Sequence, residues 1–178
     1  MKNSWNQTLI TQVGSGAALS SSTTPTSLLA AAAKFPMAGT ELQVGDKLII
    51  RAGGNISTAG SSPGTFTFDV RFGSVIVANG GASPTLVTSA SNLTWDLEMG
   101  LTVQSIGGGT SATVLGRGRL LSAALSAGIQ LLPASSPAAG TGFDSVTNAF
   151  TIDLFGTWSV SNASNSITCT DFELVYCN

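Results

Sequence analysis

Apolar and polar residues alternate one by one over several stretches of the chain, which is the pattern of strands with one buried face. The clearest stretch covers residues 93–103, where Leu, Trp, Met and Val alternate with Thr, Asp, Glu and Gly. Similar alternation covers 66–72 and 150–158. Weaker strands are expected at 8–13, 28–35, 47–57, 75–78, 112–121 and 167–176. The pattern predicts an all-β, jelly-roll-like antiparallel β-sandwich of about eight to ten strands, with an open immunoglobulin-like sandwich as the nearest alternative.

One hairpin can be predicted in register. Gly108 and Gly109 suit the tip of a tight turn, because such turns require positive φ angles. This turn places Glu98 opposite Arg119 on the solvent face, where we expect a surface ion pair, while a slip of one residue would turn Arg119 onto the apolar face. The buried face then pairs Val103 with Val114, Leu101 with Gly116, Met99 with Gly118 and Leu97 with Leu120. The two glycines leave room for the facing side chains or for another layer.

The sequence predicts three further features, which are a second hairpin, a β-bulge and a long loop. A second hairpin is expected around Gly73, with Phe72 facing Val75 and Val70 facing Val77. The last strand changes phase near residues 170–171, which predicts a β-bulge there. Residues 127–148 contain Pro133, Pro137, Gly140 and Gly142 with little apolar pattern, so we expect a long surface loop.

The composition limits the possible partners. At 178 residues the chain is expected to form one domain, spanning 1–178. Only 9% of its residues are charged and the net charge is −2, so it lacks the clustered cations that nucleic acid or an anionic membrane surface would attract. The first residues show no apolar leader segment, which predicts a soluble protein made in a cytoplasm.

Candidate catalytic chemistry is sparse. The chain has no histidine, which removes Ser-His-Asp and Cys-His catalysis and the common histidine metal sites. Cys169 and Cys177 are eight residues apart, or roughly 26 Å along a strand, so they cannot form a disulfide within it. Asp96 and Glu98 lie about 7 Å apart on one strand face, a separation compatible with glycoside hydrolysis, although a solvated face with Glu98 paired to Arg119 is the simpler interpretation.

Other candidate sites have simpler explanations as well. The glycine run at 107–109 lacks the Gly-Lys-Ser/Thr ending of a phosphate loop and is better explained as a hairpin turn. Asp144, Asn148 and Asp153 could supply oxygen ligands to calcium, but their spacing matches no known loop. Trp5 is the only tryptophan without a predicted core face. We therefore expect no enzyme activity, no cofactor and no bound metal.

Four segments carry a resemblance to known proteins, at residues 27–35, 44–52, 67–73 and 153–158. Their amino-acid sequences resemble those of small virion proteins of tailed bacteriophages. In that group, jelly-roll proteins act as capsid decoration or cement proteins, often as trimers, and related folds occur in head fibres and tail parts. The resemblance implies a homotrimer that binds the major capsid protein on the capsid exterior after synthesis in the host cytoplasm.

Two alternatives remain from the sequence. The protein could belong to a phage tail or head fibre that recognises host glycans, with exposed aromatic and polar residues of 127–148 forming the contact. More remotely, it could be a small glycan hydrolase that uses Asp96 and Glu98.

Overall fold

A computed structural model describes residues 5–134 and 142–178. The expected all-β fold is confirmed, since strands dominate and the helical residues in these two ranges form only two short 3₁₀ helices, Ala31–Ala33 and Gly39–Glu41. The strands are β1 (Asn6–Thr11), β2 (Leu19–Ser20), β3 (Thr26–Ser27), β4 (Phe35–Met37), β5 (Lys47–Ser57), β6 (Phe66–Phe72), β7 (Val75–Ala82), β8 (Leu93–Ser105), β9 (Thr113–Ser122), β10 (Ile129–Leu132), β11 (Phe150–Trp158) and β12 (Ser166–Cys177).

These strands form two antiparallel sheets in the described part of the chain. The seven-stranded sheet has the order β1-β12-β5-β8-β9-β10, with β2 also paired to β12. The five-stranded sheet has the order β3-β11-β6-β7, with β4 also paired to β11. In each sheet a strand from late in the chain lies between two early strands. β12 lies between β1 and β5, and β11 lies between β3 and β6. This double return across two packed sheets is the arrangement of a jelly roll.

The hairpin of β8 and β9 has the predicted register. Glu98 pairs with Arg119, and Val103, Leu101, Met99 and Leu97 have the partners expected from the alternation. A Cβ atom at Gly116 would lie 2.7 Å from the Ala78 Cβ atom of β7, so this glycine does make room for the second layer.

The predicted two-residue tip of that hairpin is wrong. The register shifts after Val103, so that Ser105 pairs with Thr113 and a longer loop follows. Ala112 and Phe143 exchange backbone hydrogen bonds of 3.1 and 2.9 Å, and the Gly107 N–H donates to the Ser145 side chain. The loop is therefore held open by a later segment, which local turn propensity cannot anticipate.

The second hairpin and the bulge of β12 are confirmed in outline. Phe72 pairs with Val75 as expected, but Val70 pairs with Ala78 instead of Val77, because a bulge separates the two pairs. The bulge turns Val77 and Ala78 both towards the core, where they are 0% and 8% exposed. In β12 the register shifts between Cys169 and Asp171, as the change of phase predicted.

Two other sequence predictions are wrong. Residues 28–35 do not form a strand, because the alanine-rich run makes a 3₁₀ helix between the short β3 and β4. Residues 127–148 are not a continuous surface loop, because they contain β10 and the buried Phe143, while 135–141 lie outside the described residues. Phe143 packs edge-on against Phe72 and Phe150, which anchors its segment to the core.

The buried residues form one hydrophobic cluster between the sheets. Trp95 and Trp158 are each 1% exposed, as predicted from their positions among the apolar residues of the alternating strands. Both cysteines are free thiols, and burial raises the pKa of Cys169 to about 12. Over the ranges that the structure describes, no helix is long and apolar enough to cross a membrane.

Candidate functional site

The outer face of the seven-stranded sheet carries a row of charges that crosses four neighbouring strands. The Glu98 carboxylate lies 3.4 Å from Arg119 Nη2 on one side and 3.4 Å from Arg51 Nε on the other. Arg51 Nη1 continues the row to Glu173, at 3.0 Å, and the Thr8 hydroxyl donates to Glu173 at 3.1 Å. The predicted pair of Glu98 and Arg119 is thus one part of a charge ladder made of these five residues.

The ladder stabilises the fold only modestly. Its charged side chains are 30–55% exposed, and exposed ion pairs contribute about 0–1 kcal/mol each. Hydrogen bonds to Glu173 and Glu98 raise the pKa of Arg51. Because opposite charges face each other across every strand boundary, a slipped register would break the row, and the ladder therefore favours one alignment of the sheet.

The carboxylate pair proposed for glycoside hydrolysis lies on this open face. Glu98 is held by two guanidinium groups, and Asp96 borders a shallow, open depression above Gly53. A hydrolase needs a carboxylic acid protected from water beside its substrate. The geometry at Asp96 and Glu98 gives no support to that chemistry.

The proposed calcium ligands lie in two separate places. Asp144 Oδ1 accepts the backbone N–H groups of Val146 and Thr147 at 2.9 and 2.8 Å, and these bonds lower the pKa of Asp144 to about 2. Asp153 lies on β11 of the five-stranded sheet, where its Oδ2 is 2.8 Å from Lys34 Nζ. The described residues contain no group of three or more His, Cys, Asp or Glu side chains that could hold a metal ion.

A second charged group, which the sequence did not reveal, covers the outer face of the five-stranded sheet. Asp69 and Asp153 are 3% and 6% exposed. Arg71 contacts both Asp69 oxygens, at 2.6 and 3.3 Å, and its guanidinium lies 4.0 Å above the Phe155 ring. Lys34 neutralises Asp153, so the group of two cations and two anions has no net charge.

An apolar patch occupies the outer side of the sheet edge formed by β10. Leu121, Ile129 and Leu131 are 41%, 48% and 73% exposed. Ile129 pairs with Leu121 across the two strands, and Leu131 pairs with Arg119, so the three side chains are neighbours. Arg117 and Leu131 border a groove of about 310 Å³ that continues the patch. We call Leu121, Ile129 and Leu131 the edge patch.

A cleft of about 440 Å³ lies at the opposite edge, where β1 ends the sheet. Its aromatic wall is formed by Trp5, which is 45% exposed, and Tyr176, with the two rings at a T-shaped 5.8 Å. Tyr176 donates a hydrogen bond to the buried Asp46, and burial together with this bond raises the pKa of Tyr176. The remaining lining residues are Gln7, Leu9, Phe35, Met37, Glu41, Gln43 and Asn178. We call this the Trp5 cleft.

The prediction of exposed aromatic residues in 127–148 is wrong. Phe143 is the only aromatic residue of that segment, and it is 2% exposed. A scan against models of protein families and a search of curated proteins found nothing that matches this chain.

Proposed function

We propose that this chain is a structural virion protein of the capsid decoration or cement type. It binds the major capsid protein on the outer capsid surface, stabilises the shell and works as a homotrimer. The observation that carries the proposal is the edge patch, in which Leu121, Ile129 and Leu131 present large apolar side chains next to one another. The phage setting is supported by the resemblance of the four sequence segments.

The edge patch supports assembly for a simple energetic reason. Burying apolar surface is favourable by about 25 cal/mol for each Å², and contiguous exposed apolar side chains mark interaction surfaces more often than scattered ones do. Leu131 is 73% exposed, so most of its surface is available for a partner. Ile129 and Leu131 of the patch also lie on β10, a terminal strand of the described sheet, where further chains can pair.

The charges of the outer sheet face also favour contact between proteins. The face carries four cations and four anions, so its net charge is zero and copies do not repel one another. The cations are Lys47, Arg51, Arg117 and Arg119, and the anions are Asp96, Glu98, Asp171 and Glu173. Complementary charges of this kind contribute more to orientation than to affinity.

Co-sedimentation with isolated capsids tests the proposal. Wild-type protein should sediment with capsids that lack it and should raise the temperature at which they release their contents. Leu131→Asp should lose trimer formation and weaken capsid binding, while Val13→Asp, at a site 91% exposed outside the edge patch, should retain both. A protein that fails to co-sediment and is missing from purified virions would contradict the proposal.

A second candidate function is a tail or head-fibre component that recognises host glycans. It now depends on the half-exposed Trp5 and the amide side chains of Gln7 and Gln43, since indole rings and amides suit a sugar's faces and hydroxyls. Immunogold labelling confined to the tail would favour this function, whereas labelling over the head would favour capsid decoration.

A further inference from the structure

The two terminal strands of the described seven-stranded sheet carry unlike surfaces. The edge patch spans β10 and the end of β9 and projects from the sheet, and β1 borders the Trp5 cleft, which is recessed. A contact between unlike surfaces at opposite ends of one sheet repeats from copy to copy, and it closes into a ring when the rotation allows. The inference below rests on the proposed function, because it assigns the surfaces through which the homotrimer forms.

The projecting surface combines an apolar side chain with a cation. Leu131 is the most exposed member of the edge patch, and Arg117 lies beside it in the same groove. Among the described residues, no carboxylate lies within 4 Å of Arg117, in contrast to Arg51 and Arg119. Arg117 is therefore available to pair with an anion on another molecule.

The recessed surface has the complementary character. Leu9, Phe35 and Met37 give the Trp5 cleft an apolar floor beside its aromatic wall. Glu41 is the only charged side chain among the described lining residues, and it is exposed. With no lysine or arginine in this lining, the cleft disfavours anionic ligands and favours an apolar group accompanied by a positive charge.

We propose that the edge patch of one copy docks into the Trp5 cleft of a second copy. Leu131 enters the cleft between the aromatic wall and the apolar floor, and Arg117 faces Glu41 at its rim. Transfer of the Leu131 side chain from water into an apolar site favours association, whereas the charge pair orients the contact. The same contact, repeated around a ring, uses both surfaces of every copy.

Charge reversal tests this assignment, with the oligomeric state measured by analytical ultracentrifugation. Arg117→Glu and Glu41→Arg each place like charges together, so each should raise the dissociation constant by about tenfold or more. The double variant restores opposite charges and should return to within about threefold of wild type, as expected for a directly coupled pair. Lys47→Glu reverses an exposed cation outside both surfaces and serves as the matched control.

An equimolar mixture of Arg117→Glu and Glu41→Arg proteins gives a second test that does not depend on the double variant. Every contact between unlike chains then has opposite charges, so heterodimers should form at a protein concentration at which neither variant associates alone. A closed trimer should not form, because three members leave one contact between like chains. Absence of any association in the mixture would overturn the assignment.

Three outcomes distinguish a failure of the docking surfaces from a failure of the proposed function. A wild-type oligomer that is insensitive to both charge reversals but is lost in Leu131→Asp overturns the docking into the Trp5 cleft and leaves the edge patch standing as the assembly surface of the proposed function. A wild-type monomer at all concentrations contradicts the proposed homotrimer itself. A neutral saccharide or a lysine peptide that binds the Trp5 cleft, with loss in Trp5→Ala and no change in oligomeric state, assigns the cleft to that ligand and overturns the docking of a second copy.

Discussion

Gly118 and Gly100 allow the β8 and β9 hairpin to be tested with two chemically identical substitutions. A Cβ atom at Gly118 would overlap the carbonyl oxygen of Glu98 and lie 2.9 Å from the Met99 Cα atom. At Gly100 the nearest atom to a new Cβ is the Arg117 carbonyl oxygen, at 3.8 Å, which is an ordinary contact. Gly118→Ala should therefore destabilise the fold, while Gly100→Ala should be tolerated.

The magnitude follows from comparing the two variants. Both replacements remove the same unfolded-state freedom, a stabilising term of about 0.4–1 kcal/mol that cancels in the comparison. The overlap at Gly118 involves backbone that cannot rotate away, and overpacking of this kind costs about 1–3 kcal/mol. We expect Gly118→Ala to unfold with a free energy about 1–3 kcal/mol below that of Gly100→Ala, or roughly 2–12 °C lower in Tm.

Urea unfolding at one protein concentration, followed by tryptophan fluorescence, measures this difference. Trp95 and Trp158 are buried in the core and report its exposure. Equal stability of the two variants would refute the register of β8 and β9, because only that register brings Gly118 against the Glu98 backbone. A more stable Gly118→Ala protein would refute it as well.

Four further predictions concern single groups. Cys177, which is partly exposed, should react with a thiol reagent in the native protein well before Cys169, whose pKa burial raises to about 12; equal rates would contradict the buried position of Cys169. Arg119→Met should lower the free energy of unfolding by less than about 1 kcal/mol, and by less still in 1 M NaCl, since the lost pair with Glu98 is exposed. Tyr176 has a raised folded-state pKa, so its contribution to stability is complete below the ordinary pKa of 10.0 and is lost as the pH rises above it; Tyr176→Phe should weaken this alkaline loss in pH-dependent melting curves. Asp144 has a folded-state pKa lowered to about 2 from 3.8, so its contribution is present above the ordinary value and is lost as the pH falls towards 2; Asp144→Asn should be less sensitive to acid over that window in urea titrations.

The long strands were predictable from the sequence, because each one contains its own alternation of apolar and polar residues. In β8 and β9 the alternation, the charged positions and the glycines all select one register, and the structure has it. The bulge of β12 was predictable for the same reason, since a change of phase within one strand can be read locally.

The edge patch was not predictable, because β10 places apolar side chains on the outer face of the sheet and a polar side chain on the inner face. Gln130 points inward at 8% exposure and donates to the Ala82 carbonyl oxygen at 3.2 Å, while Ile129 and Leu131 point outward. A four-residue strand followed at once by Pro133 gives no helical or strand period of useful length. The partner of the Gln130 amide nitrogen belongs to β7 of the other sheet, a contact that local patterns cannot specify.

The partners of the predicted ion pair were missed for a related reason. Arg51 and Glu173 lie on the polar phase of β5 and β12, but their place in one row with Glu98 depends on strand order. That order puts Arg51 beside Glu98, 47 positions away, and beside Glu173, 122 positions away. Asp69 and Asp153 also lay on a polar phase that predicts exposure. Arg71, Phe155 and Lys34 cover them, so the structure buries them instead.

Cryo-electron microscopy of the particle that contains this protein would locate it and show how its copies meet. We expect rings of the jelly roll on the outer capsid surface, with the β10 edge of each copy against the β1 edge of the next. Density for the protein only in the tail, or its absence from the particle, would rule out capsid decoration.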